Sequence, residues 1–127
     1  MDYPEQLQYS SEHEWIAVDG ARARIGITDY AQDALGDVVF VNLPAVGTAV
    51  TSGASVAEVE STKSVSDIYA PVSGTIVEVN HALDDAPEHV NNDPYGEGWI
   101  FVVEMSDPTE LDGLMDAEAY RRMVEEG

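Results

Sequence analysis

Cysteine is absent from the 127-residue chain, and lysine occurs only once. Without cysteine there is no disulfide, no thiolate metal site and no protein-borne thiol nucleophile. Basic residues are scarce altogether: Lys and Arg total 5 against 25 Asp and Glu, a formal net charge of −20. That balance speaks against nucleic acid as a partner, since phosphate contacts need Lys and Arg, and against a polybasic membrane anchor. Long apolar runs are missing too. The longest, around Val38 to Val41 and Ile100 to Val103, have four or five residues, where a membrane-spanning helix needs roughly twenty. Met1-Asp2-Tyr3-Pro4-Glu5 lacks the basic, then apolar, start of a secretory signal. The expectation is a cytoplasmic protein. No metal site is expected, because His13, His81 and His89 are dispersed. Asp84-Asp85 and Asn91-Asn92-Asp93 lack the Asp-x-Asp-x-Asp-Gly pattern of a calcium loop.

Leu, Ile, Val and Phe number 30, about 24% of the chain and above the roughly 20% below which high charge implies disorder. The length suits a single domain over residues 1–127, with enough chain to form a core. Self-repulsion at −20 destabilises a compact state unless it is screened. Concentrated salt shortens the Debye length to about 3 Å at 1 M. Acidity spread along the chain, with lysine almost eliminated, therefore suggests a halophilic source and stability that rises with salt.

Most of the chain reads as short strands. Trp15 to Val18 and Ala23 to Ile27 flank Asp19-Gly20, a hairpin signal. Thr28 to Gly36 reads as a short helix, with Thr28 as N-cap and Gly36 as terminator. Strands are expected over Asp37 to Asn42, Thr75 to Asn80 and Trp99 to Met105, and irregular chain from His81 to Gly98. Pro108 marks a helix first turn after Ser106-Asp107, and Ala117 to Glu126 a second helix behind Asp116. Trp15, Phe40, Trp99 and Phe101 are expected in the core. Val39 to Asn42 and Val77 to Asn80 form a weak internal echo on either side of Lys63.

Lys63, the sole lysine, stands between two candidate strands. Ala54 to Glu60 alternates small or apolar with polar residues, Val56 and Val59 excepted. Ser64 to Ala70 is stopped by the turn Pro71-Val72-Ser73-Gly74. Ser61-Thr62-Lys63 is then a hairpin tip that holds out one amine to a modifying enzyme. A lone surface charge beside Glu60 and Asp67 accounts for the same residues without chemistry.

The segment Glu60-Ser61-Thr62-Lys63-Ser64-Val65-Ser66-Asp67-Ile68-Tyr69-Ala70-Pro71-Val72-Ser73-Gly74 resembles the lipoyl-lysine region of glycine cleavage system H proteins. The resemblance takes in His13-Glu14-Trp15, Ile25-Gly26-Ile27-Thr28, Leu35-Gly36-Asp37-Val38-Val39-Phe40-Val41 and Pro94-Tyr95-Gly96-Glu97-Gly98-Trp99, and covers roughly residues 8 to 125. One departure is Tyr30, where many members carry His.

The resemblance implies a mainly β barrel-sandwich hybrid of small antiparallel sheets, with short flanking helices and a C-terminal helix. It implies a monomeric carrier rather than an enzyme, with lipoate bound covalently to Lys63. Glu60, Ser61, Ser64 and Asp67 become the residues read by a lipoate-attaching enzyme. The implied partners are a pyridoxal-phosphate glycine decarboxylase, a tetrahydrofolate-dependent aminomethyltransferase and dihydrolipoyl dehydrogenase. The physical reading agrees, because a chain with no sulfur nucleophile must borrow one from a cofactor. A loaded arm ends in an amine that needs shielding from water. Glu12, Glu14 and Asp67 are candidates to line a cleft for it, or else are solvated surface. Two other classes remain open: a lipoyl or biotinyl carrier domain of a 2-oxoacid dehydrogenase or carboxylase, and an unmodified acidic binding module. Thr62-Lys63-Ser64 differs from the Asp-Lys-Ala or Met-Lys-Met typical of the first.

Overall fold

The computed structural model describes residues 1–126 as two antiparallel sheets with helices on the outside. Nine strands appear in chain order: β1 Gln8–Tyr9, β2 Glu14–Asp19, β3 Arg22–Ile27, β4 Val38–Asn42, β5 Ala49–Val50, β6 Ser55–Ser61, β7 Val65–Tyr69, β8 Gly74–Val79 and β9 Phe101–Met105. A six-stranded sheet has the order β1-β2-β3-β9-β8-β5, and a three-stranded sheet the order β4-β6-β7. This is the barrel-sandwich architecture expected. The echoing Val39 to Asn42 and Val77 to Asn80 segments fall mainly on β4 and β8, one in each sheet.

Alternation decides which residues face inward. In β3, Ala23, Ile25 and Ile27 are buried while Arg22 and Arg24 are exposed. In β6, Ala57 and Val59 point into the core and Glu60 out. These side chains meet Ile16, Val41, Ile68, Val72, Ile76, Phe101 and Val103 in one cluster between the sheets.

A second cluster joins the two ends of the chain. Tyr3, Leu7, Tyr9 and Trp15 pack with Ala117 and Tyr120 of helix α4, Ala117–Glu126. Paired 2.8 Å bonds between the Tyr9 and Met115 backbones close this region. Trp15 crosses Gly26, its partner on β3. A Cβ added there would meet the indole at 2.6 Å, so only glycine lets the ring lie flat. The indole N–H donates to the Pro94 carbonyl at 2.9 Å.

Helix α1, Asp29–Leu35, begins and ends as its sequence dictates. Thr28 Oγ1 accepts from the Ala31 N–H, and the Gly36 N–H donates to the Gln32 carbonyl. Gly36 has φ +85° and ψ −159°, a region open essentially to glycine alone.

Three expectations need correction. The stretch His81 to Gly98 is not irregular throughout, since it contains the single-turn helices α2, Ala82–Asp85, and α3, His89–Asn92. Asn80 organises the first by accepting from the Ala82 N–H while donating to the Glu97 and Trp99 carbonyls. Phe40 is not a core residue but 48% exposed, because the β4–β6 register shifts between Val38 and Phe40 and turns the ring outward. Trp99 is only half-buried, with the Arg24 guanidinium 4.8 Å from its ring centre. Strands β1 and β5, two residues each, are too short to leave a periodic signal.

Candidate functional site

Lys63 lies on the tip that joins β6 to β7. Ser61 builds that tip: its N–H donates to the Ser64 carbonyl at 2.8 Å, and its Oγ accepts from the Lys63 and Ser64 N–H groups at 3.2 and 3.1 Å. One side chain thus replaces the hydrogen bonds that a tight turn leaves unmade. The Thr62 N–H donates to the Asp37 carbonyl at 3.0 Å, which pins the tip to the chain entering β4. Lys63 is exposed. Among the described residues its amine takes part in no ion pair. Its stem lies over Gly36, where an added Cβ would come within 2.9 Å of the lysine Cε. The glycine that ends α1 therefore also makes room for the lysine.

A cleft of about 310 Å³ opens between the start of β2, helix α1 and strand β7. Ile27, Ala31, Leu35 and Val59 give it an apolar wall, while Glu12, Glu14 and Asp67 supply carboxylates. Leu35 is the residue before Gly36, so the lysine stem lies at the end of the helix that forms one wall.

Glu14 is the unusual group here. It is 1% exposed, with Oε1 accepting from the Ser10 hydroxyl at 2.6 Å and Oε2 from the Tyr69 N–H at 3.2 Å. Burial raises its pKa to about 7, against the lowering effect of the Ser10 and Tyr69 hydrogen bonds. A carboxyl held near neutrality beside an apolar cavity can take up a cation or a proton according to what enters.

The neighbouring His13 is held in a left-handed backbone conformation, φ +71°. Its Nδ1 lies 2.8 Å from the Tyr120 hydroxyl, which lies 2.7 Å from Thr28 Oγ1. The imidazole is tilted over Tyr30 with ring centres 5.0 Å apart, and burial lowers its pKa. Through Tyr120, stacked on Tyr9, helix α4 braces the residue next to Glu14 and the cap of α1.

The structure thus brings Glu12, Glu14 and Asp67 to one cleft. Glu60 lies apart on the outer face of β6, opposite Phe40 and Val65, while Ser61 and Ser64 form the tip. Sequence reasoning missed Ser10, the Tyr69 N–H, Tyr30 and Leu35. Only Ser10, four residues before Glu14, had any local signal, since a hydroxyl that close can reach a carboxylate across a tight turn. His81 makes an exposed 3.3 Å contact with Asp84, remote in sequence from the site.

The profile of the family described as Glycine cleavage H-protein matches residues 7–127. A glycine cleavage system H protein from Micrococcus luteus is 64% identical over 119 residues, covering 92% of this chain and 93% of its own. One from Geobacillus thermodenitrificans is 55% identical over 127 residues, the full length of both. The crystal structure of a glycine cleavage system H protein from Mycobacterium marinum superposes with a TM-score of 0.88 at 46% identity, covering 96% of this chain and 98% of that one. These relatives do not bear out a halophilic source. An excess of acidic residues sets the repulsion but does not identify what screens it.

Proposed function

The chain belongs to the glycine cleavage H-protein family of lipoyl carriers, and from that premise we propose that Lys63 carries the lipoyl group and that the cleft beside it receives the arm. The observation that carries this reading is one exposed amine, the only lysine of the chain, on a braced tip next to an apolar cleft with a buried carboxyl. The residues fit the group. An aliphatic chain and ring match Ile27, Ala31, Leu35 and Val59, and the carboxylates suit a cationic end.

When attached, the lipoyl disulfide supplies a two-electron acceptor that also takes the aminomethyl group of glycine. The protein's own part is to hold, orient and shield. The tip presents the amide nitrogen at the exposed surface, beside Gly36 at the end of α1. The lysine stem and lipoyl chain reach on the order of 10–15 Å, from bonds near 1.5 Å, so one arm serves glycine decarboxylase, the aminomethyltransferase and dihydrolipoyl dehydrogenase in turn. Tethering substitutes a high local concentration for free diffusion. In the cleft, Glu14 and Asp67 would hold a cationic cargo, and the apolar wall of Ile27, Ala31, Leu35 and Val59 would keep water from it. A charge-assisted bond of that kind contributes about 1.5–3 kcal/mol, so these carboxylates would favour an arm carrying a cation roughly ten- to a hundredfold over one without it.

Reconstitution with purified decarboxylase, aminomethyltransferase and dehydrogenase tests this. The lipoylated chain should support glycine-dependent NADH formation, and Lys63→Arg should support none. Equal turnover with Lys63→Arg would place the arm elsewhere or dispense with it.

A further inference from the structure

Phe40 is 48% exposed and Val65 58%, although either residue would gain by burial. They are not scattered. Phe40 pairs with Glu60 on β6, and Glu60 pairs with Val65 on β7. Antiparallel partners project to the same face, so Phe40, Glu60 and Val65 form one outward row across the three-stranded sheet. The spacing between neighbouring strands makes that row about 10 Å long. The adjacent row is Asn42, Glu58 and Asp67, with Asp67 on the edge strand, where it also lines the cleft. Phe40 and Val65 thereby flank Glu60, with Glu58 in the next row, and Val65 lies two residues beyond Lys63. The β4 register shift turns Phe40 outward while Val38 and Val41 stay buried. Apolar surface rimmed by charge marks contact with a partner.

Reach identifies which partner. Enzymes that act on the dithiolane meet it at the end of an arm on the order of 10–15 Å long, so they have no need to cover the sheet below the tip. The enzyme that forms the amide must bring its reacting carbon to the amine itself, about 6 Å from the backbone. Its rim then has to lie against the residues flanking the tip. We infer that the Phe40–Glu60–Val65 row is the docking surface for the lipoate-attaching enzyme, which presents an apolar seat edged by Lys or Arg. This rests on lipoylation at Lys63. In that step the neutral lysine amine attacks the carbonyl of a lipoyl group activated as its mixed anhydride with AMP. A C–N bond forms, the anhydride C–O bond breaks, AMP departs with the electron pair, and the amine proton passes to solvent.

The test uses the full chain, an ATP-dependent lipoate ligase, lipoic acid and ATP, with lipoyl incorporation followed by intact mass. Phe40→Thr and Val65→Thr keep strand-compatible side chains at exposed positions, and their melting midpoints report folding. Each should raise the KM for the carrier about tenfold, and Phe40→Leu should restore it. Excess ligase should still drive the variants to full modification. Once loaded, they should be reduced by dihydrolipoyl dehydrogenase with NADH within about twofold of wild type. Val46→Thr changes a valine that is 60% exposed but outside the row, and should leave ligation unchanged. Wild-type KM in Phe40→Thr and Val65→Thr, or an equal loss in Val46→Thr, overturns the docking surface while lipoylation stands. Failure of the wild-type chain to accept lipoate overturns the premise instead.

Discussion

The hairpin tip and the cleft beside it solve opposite problems with neighbouring stretches of chain. At the tip the turn itself is local: Ser61 supplies its missing hydrogen bonds and Lys63 is left exposed, with one longer tie from Thr62 to Asp37. In the cleft, the Ser10–Glu14 bond apart, the parts come from distant segments. Glu14 comes from β2, its hydrogen-bond donors from Ser10 and from Tyr69 on β7, and the apolar wall from α1. A covalent attachment point needs access and little else, whereas a shielded resting place for a charged cargo needs burial assembled from distant segments. The difference predicts that changes at the tip abolish function without touching stability, while changes in the cleft alter both.

The largest expected effect is at the tip. Lys63→Arg should eliminate glycine-dependent turnover while shifting unfolding by less than about 0.5 kcal/mol, read by assay and chemical denaturation on one preparation. A large loss of stability would show that the lysine stem over Gly36 is structural.

The cleft should respond to pH. The folded Glu14 carboxyl titrates near 7 against 4.5 for a free glutamate, so between these values the folded state binds more protons than the unfolded one. Stability contributed by the neutral carboxyl is complete below the lower value. It is lost as pH rises through the upper one, by about 3 kcal/mol. Denaturation of wild type and Glu14→Gln from pH 4.5 to 8 should show that slope only in wild type. Parallel curves would mean that the carboxyl is solvated. The loaded carrier should in addition lose its cargo faster in Glu14→Ala and Asp67→Asn, roughly ten- to a hundredfold at most. Lifetimes equal to wild type would return these carboxylates to ordinary surface.

Gly36 belongs to both regions, which makes it a sharper probe of the boundary. Gly36→Ala places a side chain in a backbone region that costs about 1–3 kcal/mol and displaces the lysine stem. The melting midpoint should fall while ligation at Lys63 persists, since the amine remains exposed. Smaller still is Tyr120→Phe, which deletes the hydroxyl between His13 and Thr28 and should cost about 1 kcal/mol. Because that brace stands next to Glu14, the Glu14 titration should shift as well. An unmoved titration would separate α4 from the cleft.

The same division explains what the sequence made legible. The tip, the Thr28 and Gly36 caps and the alternating strands declare themselves within a few residues, because hydrogen bonding and periodicity are short-range. The grouping of Glu12, Glu14 and Asp67 came through resemblance rather than spacing, since β2 and β7 lie about fifty residues apart in the chain. The role of Ser10 beneath Glu14 and the tie from His13 to Tyr120 depend on a left-handed backbone at His13 and a contact 107 residues away. Phe40 misled for a related reason. In a run of four apolar residues, Val38 to Val41, nothing announces the register shift that turns one of them outward.

The most direct test of the account is where the arm sits. Protein isolated from its native host, cleaved at acidic residues and mapped by tandem mass spectrometry, should carry one lipoyl amide on the peptide containing Lys63 and none on the N-terminal amine. An unmodified Lys63 in cells making the other glycine cleavage enzymes, or biotin in place of lipoate, would contradict it.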